Sequence, residues 1–221
     1  MKKLLIKFMT MTSEWSWPLS QKKFIMSDYL ALEDYFEEEG CQFAVALVST
    51  SGAVSNFWIR LSFLFGNQKH KFSNLTHAAV YIGEYHYPHT VVESIGKGVL
   101  TRTLVELLCN RDNVKILIPS KKMNRKVVQN IRENAIKISK RDEISPIGYD
   151  YSHNPNDQAT YDCSELIYDS VKKAYLQADQ PCPLKTIRRL GQETYSPIDL
   201  EFSDLFETVY DSKKGFLNGK I

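Results

Sequence analysis

Two apolar segments joined by a short turn-rich stretch constrain this chain more than any other feature. Residues 76–83 read Thr-His-Ala-Ala-Val-Tyr-Ile-Gly, and residues 90–95 read Thr-Val-Val-Glu-Ser-Ile ahead of Gly96. Both have the length and the β-branched and aromatic content of buried strands, and the connection at 84–89 makes them an antiparallel hairpin. Each strand carries one residue that an apolar interior tolerates only with a partner, His77 in the first and Glu93 in the second. Residues of equal parity share a strand face. If Tyr81 pairs with Val91, then Ala79 opposes Glu93, and His77 lies diagonally from Glu93 on one face, within reach of a long side chain. A register slip of one residue would send Glu93 to the other face.

The rest of the chain supports a folded protein around this hairpin. Of its 221 residues, 43% are hydrophobic and 12% aromatic, enough apolar surface to offset chain entropy. The length suits one large domain with a short appendage, divided here into an N-terminal arm and helix (1–39) and a main domain (40–221). Lys plus Arg is 28 against 26 Asp plus Glu, a net charge of +2, which is no signature of a nucleic-acid binder. No apolar run is long enough for a transmembrane helix. Lys7 interrupts the apolar start after three residues, so no standard signal peptide is expected. The chain is therefore expected to be cytoplasmic, or delivered without such a signal. A basic, aromatic arm (Lys2, Lys3, Lys7, Trp15, Trp17) leaves peripheral membrane contact open.

Further elements follow from pattern. A helix is expected over 24–40, capped by Ser27 and ended by Gly40, then a short strand over 43–48 and an aromatic-rich helix over 54–65. Beyond the hairpin come a short helix over 103–109, a strand over 114–118 and an amphipathic helix over 125–139. The clearest helix follows Asp162, with Leu166, Ile167, Ser170, Val171, Ala174 and Tyr175 on one face. The tail from 190 onward reads as irregular, with a turn of helix near 204–209.

Four cysteines, Cys41, Cys109, Cys163 and Cys182, form no C-x-x-C pair and have no histidine at ligand spacing. Neither a metal site nor a disulfide framework is expected. Cys163 stands apart. Asp162-x-x-Glu165 is a capping box, which puts Cys163 at the first helical position, where free N–H groups and the helix dipole stabilise a thiolate. A thiolate needs a base beside it to do chemistry. His70 lies in a Lys-His-Lys run, His86 and His89 in the hairpin connection, and His153 in a polar loop, all read as solvated. His77, held in a strand with Glu93 as partner, is the candidate base. Cys163, His77 and Glu93 together make the general arrangement of a thiol hydrolase.

At these residues the sequence resembles a known family. Residues 76–83, the run Val92-Glu93-Ser94-Ile95-Gly96-Lys97-Gly98-Val99, and Asp162-Cys163-Ser164-Glu165-Leu166-Ile167 resemble, in order, three motifs of the YiiX/YebB-like branch of the NlpC-type, circularly permuted papain-fold cysteine hydrolases. The resemblance runs over roughly 40–200. It departs from the family's common Gly-Asp-Ile opening, with Gly40-Cys41-Gln42 in its place, and leaves 1–39 without a counterpart. It implies an α+β fold, a small antiparallel sheet packed against the Cys163 helix. It implies Cys163 as nucleophile, His77 as general base and then acid, and Glu93 as the residue orienting His77. Tyr149 or Tyr161 would line the site or assist the oxyanion, and no cofactor is required. The implied substrates are peptide-type amides, such as cell-wall peptides, or lipid-linked acyl groups. Two alternatives remain open at this point. One is a lipid acyltransferase or thioesterase, which an apolar groove around Phe57, Trp58, Phe63 and Phe65 would favour. The other is a silent binding or host-interaction module, which a missing His77–Cys163 contact would favour.

Overall fold

The computed structural model describes residues 24–49, 75–109, 111–144, 147–150, 160–184, 187–189 and 192–217. In chain order the elements are α1 (Met26–Glu38), β1 (Ala44–Val48), β2 (His77–Tyr81), β3 (Thr90–Ile95), β4 (Gly98–Thr103), α2 (Leu104–Leu108), β5 (Val114–Pro119), α3 (Arg125–Ile144), β6 (Gly148–Tyr149), β7 (Thr160–Tyr161), α4 (Cys163–Gln177), β8 (Ile187–Arg189), β9 (Gln192–Thr194), α5 (Pro197–Glu201), β10 (Phe206–Asp211) and β11 (Gly215–Phe216). Seven strands form one sheet in the order β11-β10-β5-β1-β2-β3-β4, every neighbouring pair antiparallel. The α+β class and the antiparallel sheet are as expected from sequence. The sheet is wider than the hairpin alone suggested, because β4 extends one edge and β10–β11 the other.

Both faces of the sheet are covered, which is why its central strands read as unbroken apolar runs rather than alternating ones. Val45, Leu47, Ala78, Val80, Ile82 and Val92 pack against α3 and α4 through Val127, Ile131, Leu166, Ile167 and Val171. The opposite parity, Ala44, Ala46, Val48, Ala79, Tyr81 and Val91, packs against Leu32, Tyr35 and Phe36 of α1 and Leu104, Leu107 and Leu108 of α2.

Helix α1 starts two residues earlier than a Ser27 cap would give. Its N-cap is Ile25, whose amide donates to the Asp28 carboxylate at 3.3 Å, so Asp28 supplies the acceptor expected of Ser27. Gly40 ends the helix with φ +58°, the left-handed geometry that glycine adopts without strain. The connection between β2 and β3 is also tighter than a solvated loop. Tyr81 and His89 are bonded at 3.0 Å (Oη to Nδ1), His89 Nε2 lies 3.0 Å from Glu33, and the Tyr29 hydroxyl donates to Glu33 at 3.2 Å. His89 is thus buried against α1, which lashes that helix to the hairpin; His86, paired with Glu143 at 3.3 Å, stays exposed as expected.

The tail is not irregular. Ser196 precedes Pro197 at the first turn of α5, and the amide and hydroxyl of Ser196 both donate to Asp199. The turn of helix expected near 204–209 is instead β10, paired with β5 along its length. A bulge between Thr208 and Tyr210 breaks the two-residue alternation and hides the strand from a pattern reading. Lys115 of β5 pairs with Glu201 and Asp211, fastening the tail to the sheet. The helix expected over 54–65, the N-terminal arm with its basic and aromatic residues, and the loops holding His70 and His153 lie outside the described residues.

Candidate active site

The hairpin register is the one inferred from sequence: Tyr81 pairs with Val91, Val80 with Val92 and Ala79 with Glu93. The ladder between β2 and β3 stops there, although β2 begins at His77 and β3 runs on to Ile95. The two strands part at this end, and the start of α4 meets them there. The Ser94 hydroxyl donates to the Tyr161 carbonyl at 2.6 Å, tying the residues just before α4 to β3.

Helix α4 begins as its sequence requires. Asp162 is the N-cap, its Oδ1 accepting from the amides of Ser164 and Glu165 at 2.7 Å each, while Glu165 accepts from the Asp162 amide at 3.1 Å. Cys163 is therefore the first helical residue, 4% exposed, its own amide without an intrahelical acceptor. Replacing the cap (Asp162→Ala) is expected to cost about 1–2 kcal/mol of stability, read by denaturant unfolding.

His77 joins the two halves. Its Nε2 lies 2.6 Å from Oε2 of Glu93, and the ring is near enough to Cys163 for the thiol to bear on its titration. Burial alone lowers the pKa of His77, but the bonds and charges of Cys163 and Glu93 outweigh it and raise the value to about 9. Burial likewise pushes the Glu93 carboxyl up, and His77 and Arg102 together bring it below the ordinary glutamate value. A thiol at a helix N-terminus, near an imidazole backed by a carboxylate, can pass its proton to the ring and exist as a thiolate beside an imidazolium.

A linkage effect follows. His77 titrates near 6.5 when unfolded and near 9 when folded, so its contribution to stability is complete below about pH 6.5 and is lost as pH rises through about 9. The unfolding midpoint should fall across that window, and the fall should be absent in His77→Ala; thermal melts in a pH series check this.

Arg102 was not singled out in the sequence. Its Nη2 lies 2.6 Å from the second oxygen of Glu93. The two tyrosines are placed differently from one another. Tyr161 is 2% exposed and its hydroxyl donates to Asp169 at 2.7 Å, an acceptor that also pairs with Lys173. That bond uses the Tyr161 hydroxyl proton in a contact with α4. Tyr149 is half-buried and in register with Tyr161 in the parallel β6–β7 pair.

Against known proteins, residues 51–210 match the model of one family, described as permuted papain-like amidase enzymes, YaeF/YiiX, the C92 family. The chain belongs to this family. The C92 match makes it a papain-like amidase, a thiol-dependent hydrolase, and the permuted order, histidine strand before cysteine helix, is the order seen in the structure. Among solved structures the chain is similar to the metalloprotein yiiX from Escherichia coli O157:H7, with TM-score 0.55 and 14% identity over 76% of this chain and 96% of that one. No curated protein matches it. That neighbour is titled a metalloprotein; among the described residues of this C92 chain, no three His, Cys, Asp or Glu side chains converge as ligands. No helix among the described residues is long and apolar enough to cross a membrane.

Proposed function

We propose that the protein hydrolyses a peptide-type amide through a thioester on Cys163, with His77 as proton carrier and Glu93 orienting it. The observation that carries this reading is the place of His77, close to Cys163 at the head of α4 and bonded to the buried Glu93 at 2.6 Å. In the first half-reaction the Cys163 thiolate attacks the carbonyl carbon. The oxyanion that forms is held by the Cys163 amide at the head of α4, aided by the helix dipole. The His77 imidazolium gives its proton to the departing amine as the C–N bond breaks, leaving a thioester. In the second, neutral His77 takes a proton from water, the hydroxide adds to the thioester, and the thiol returns with the carboxylic acid product. Glu93 holds the ring and stabilises its charged form throughout. Tyr149 or Tyr161, neighbours in the β6–β7 pair just before α4, would line the approach to Cys163. The substrates this chemistry suits are peptide amides, cell-wall peptides among them. The lipid-directed alternative turned on residues 57–65, which lie outside the described residues, and no described feature favours it.

The test is alkylation of each cysteine across a pH series, read by mass spectrometry. Cys41, Cys109 and Cys182 are internal controls, because burial raises all three, Cys41 to about 11. Cys163 is expected to react at pH 6, far below an ordinary thiol pKa of about 8.5, while the other three stay unmodified. A Cys163 profile that rises only with theirs would overturn the proposal and leave a silent binding module as the better reading.

A further inference from the structure

Glu93 has two carboxylate oxygens, and His77 uses one. The other, Oε1, faces Nη2 of Arg102 at 2.6 Å. Arg102 comes from β4, where it pairs with Val91, so it leans over the same sheet face as Glu93. The Glu93 side chain is fully buried, whereas Arg102 keeps 26% of its side chain exposed. The guanidinium closes the solvent side of the carboxylate. Arg102 Nε and Glu93 Oε1 are both buried without an aligned hydrogen bond, so what joins the two side chains is the ion pair at 2.6 Å. A guanidinium partly buried against a fully buried carboxylate is placed there by charge and not by surface solvation.

We infer that Arg102 is a positioning residue for this site: its guanidinium holds the Glu93 carboxylate with Oε2 turned to His77, and its charge sets the pH window in which the Cys163–His77 pair is reactive. The inference rests on the function proposed above. Fixing Oε1 removes the carboxylate's freedom to rotate, so the imidazole stays aimed at the sulfur. The charge acts separately. A cation behind Glu93 offsets part of the carboxylate's field, so His77 releases its proton at lower pH and Cys163 forms its thiolate at lower pH than with an unshielded carboxylate. The other charged groups around this centre are few. Arg111, just past α2, feels the charges of both Arg102 and Glu93; Glu106 of α2 is exposed and feels Arg102; Asp162 and Glu165 are engaged in the cap of α4. Among the described residues, Arg102 is the cation paired directly with Glu93.

The experiment is the Cys163 alkylation profile from pH 4 to 11 in wild type, Arg102→Gln, Arg102→Lys and Glu93→Gln, with the His77 titration followed by imidazole NMR. Wild type should show two inflections, one for Cys163 beside imidazolium and one for His77. Arg102→Gln should move both upward by about one pH unit, the low end of what a unit charge in contact does. Arg102→Lys keeps the charge and should restore the wild-type positions. Glu93→Gln should move the His77 inflection in the opposite direction, downward. A purely structural role would slow the reaction at every pH and leave both inflections in place. Should Arg102→Gln unfold, shown by equal reactivity of all four cysteines, Arg102→Met keeps the stem's packing and removes the charge. Unmoved inflections in a folded charge-removing variant overturn the role of Arg102 alone. A wild-type Cys163 that titrates like the other cysteines overturns it together with the proposed function.

Discussion

Cys163→Ala should abolish hydrolysis of any amide the wild-type protein turns over, by about 10⁴-fold or more, and leave the fold intact. The size follows from what the sulfur does. In the proposed mechanism it forms the covalent bond that splits amide hydrolysis into two easier steps, and the neighbouring Ser164 hydroxyl, 3.9 Å from the sulfur, is a far weaker nucleophile at neutral pH. His77→Ala should cost a similar factor, because nucleophile and base act as a unit whose single deletions nearly equal the double. A double variant should therefore be little worse than either single one. The fold should survive because Cys163 is small and the first turn of α4 is held by Asp162 and Glu165 rather than by the thiol. Turnover of a screened amide, with circular dichroism on the same samples, is the measurement. Retained turnover in Cys163→Ala would place the chemistry elsewhere.

The largest stability loss is expected from Gly98→Val. Gly98 opens β4 with φ +115°, a conformation side chains rarely adopt, and a Cβ there would stand 2.6 Å from the Ile147 carbonyl oxygen. The obstacle is backbone, so rotating a side chain cannot relieve it. The surroundings are also fixed: Asp142 accepts from the amides of Val99 and Ile147 at 3.4 and 2.5 Å, clasping the start of β4 to the chain beyond α3. Strain at the dihedral and displacement of the carbonyl together should cost about 3 kcal/mol or more. For a chain of this length that lowers the melting point by roughly 6–12 °C. Because β4 also carries Arg102, residual activity should suffer in the same variant. A melting point within a degree or two of wild type would show that the clasp around Asp142 opens freely.

The central hairpin, its register and the Asp162–Cys163 helix start were legible because each is a local rule that tertiary packing reinforces. The register in particular came from one constraint, a buried glutamate that needed the histidine two rungs away. What was missed shares a different cause. Strand β4 reads Gly-Val-Leu-Thr-Arg-Thr, with its first two residues buried and its last four only half-buried, so it lacks the apolar run that announced its neighbours. The signal was nevertheless present, since Ile95 and Gly98 flank a two-residue turn that extends the hairpin by one strand. Parity carried across that turn would have set Arg102 beside Glu93. His89 was misjudged because its partners Tyr81 and Glu33 come from different elements, a juxtaposition that no window of sequence displays.

Helix α4 behaves as a lever with its reactive residue at the fulcrum. Fifteen residues make it about 22 Å long, and its anchorage is uneven. The end bearing Cys163 is fixed through the Ser94–Tyr161 bond, the Tyr161–Asp169 bond and the Asp162 cap. The far end is held to α3 by the paired amides of Asn134 and Gln177, at 3.2 and 3.3 Å. A tilt about the fixed end sweeps Gln177 through a wide arc and scarcely displaces the sulfur. Substitutions at the exposed outer positions, Lys172 and Leu176, can therefore accumulate without disturbing the end that carries Cys163.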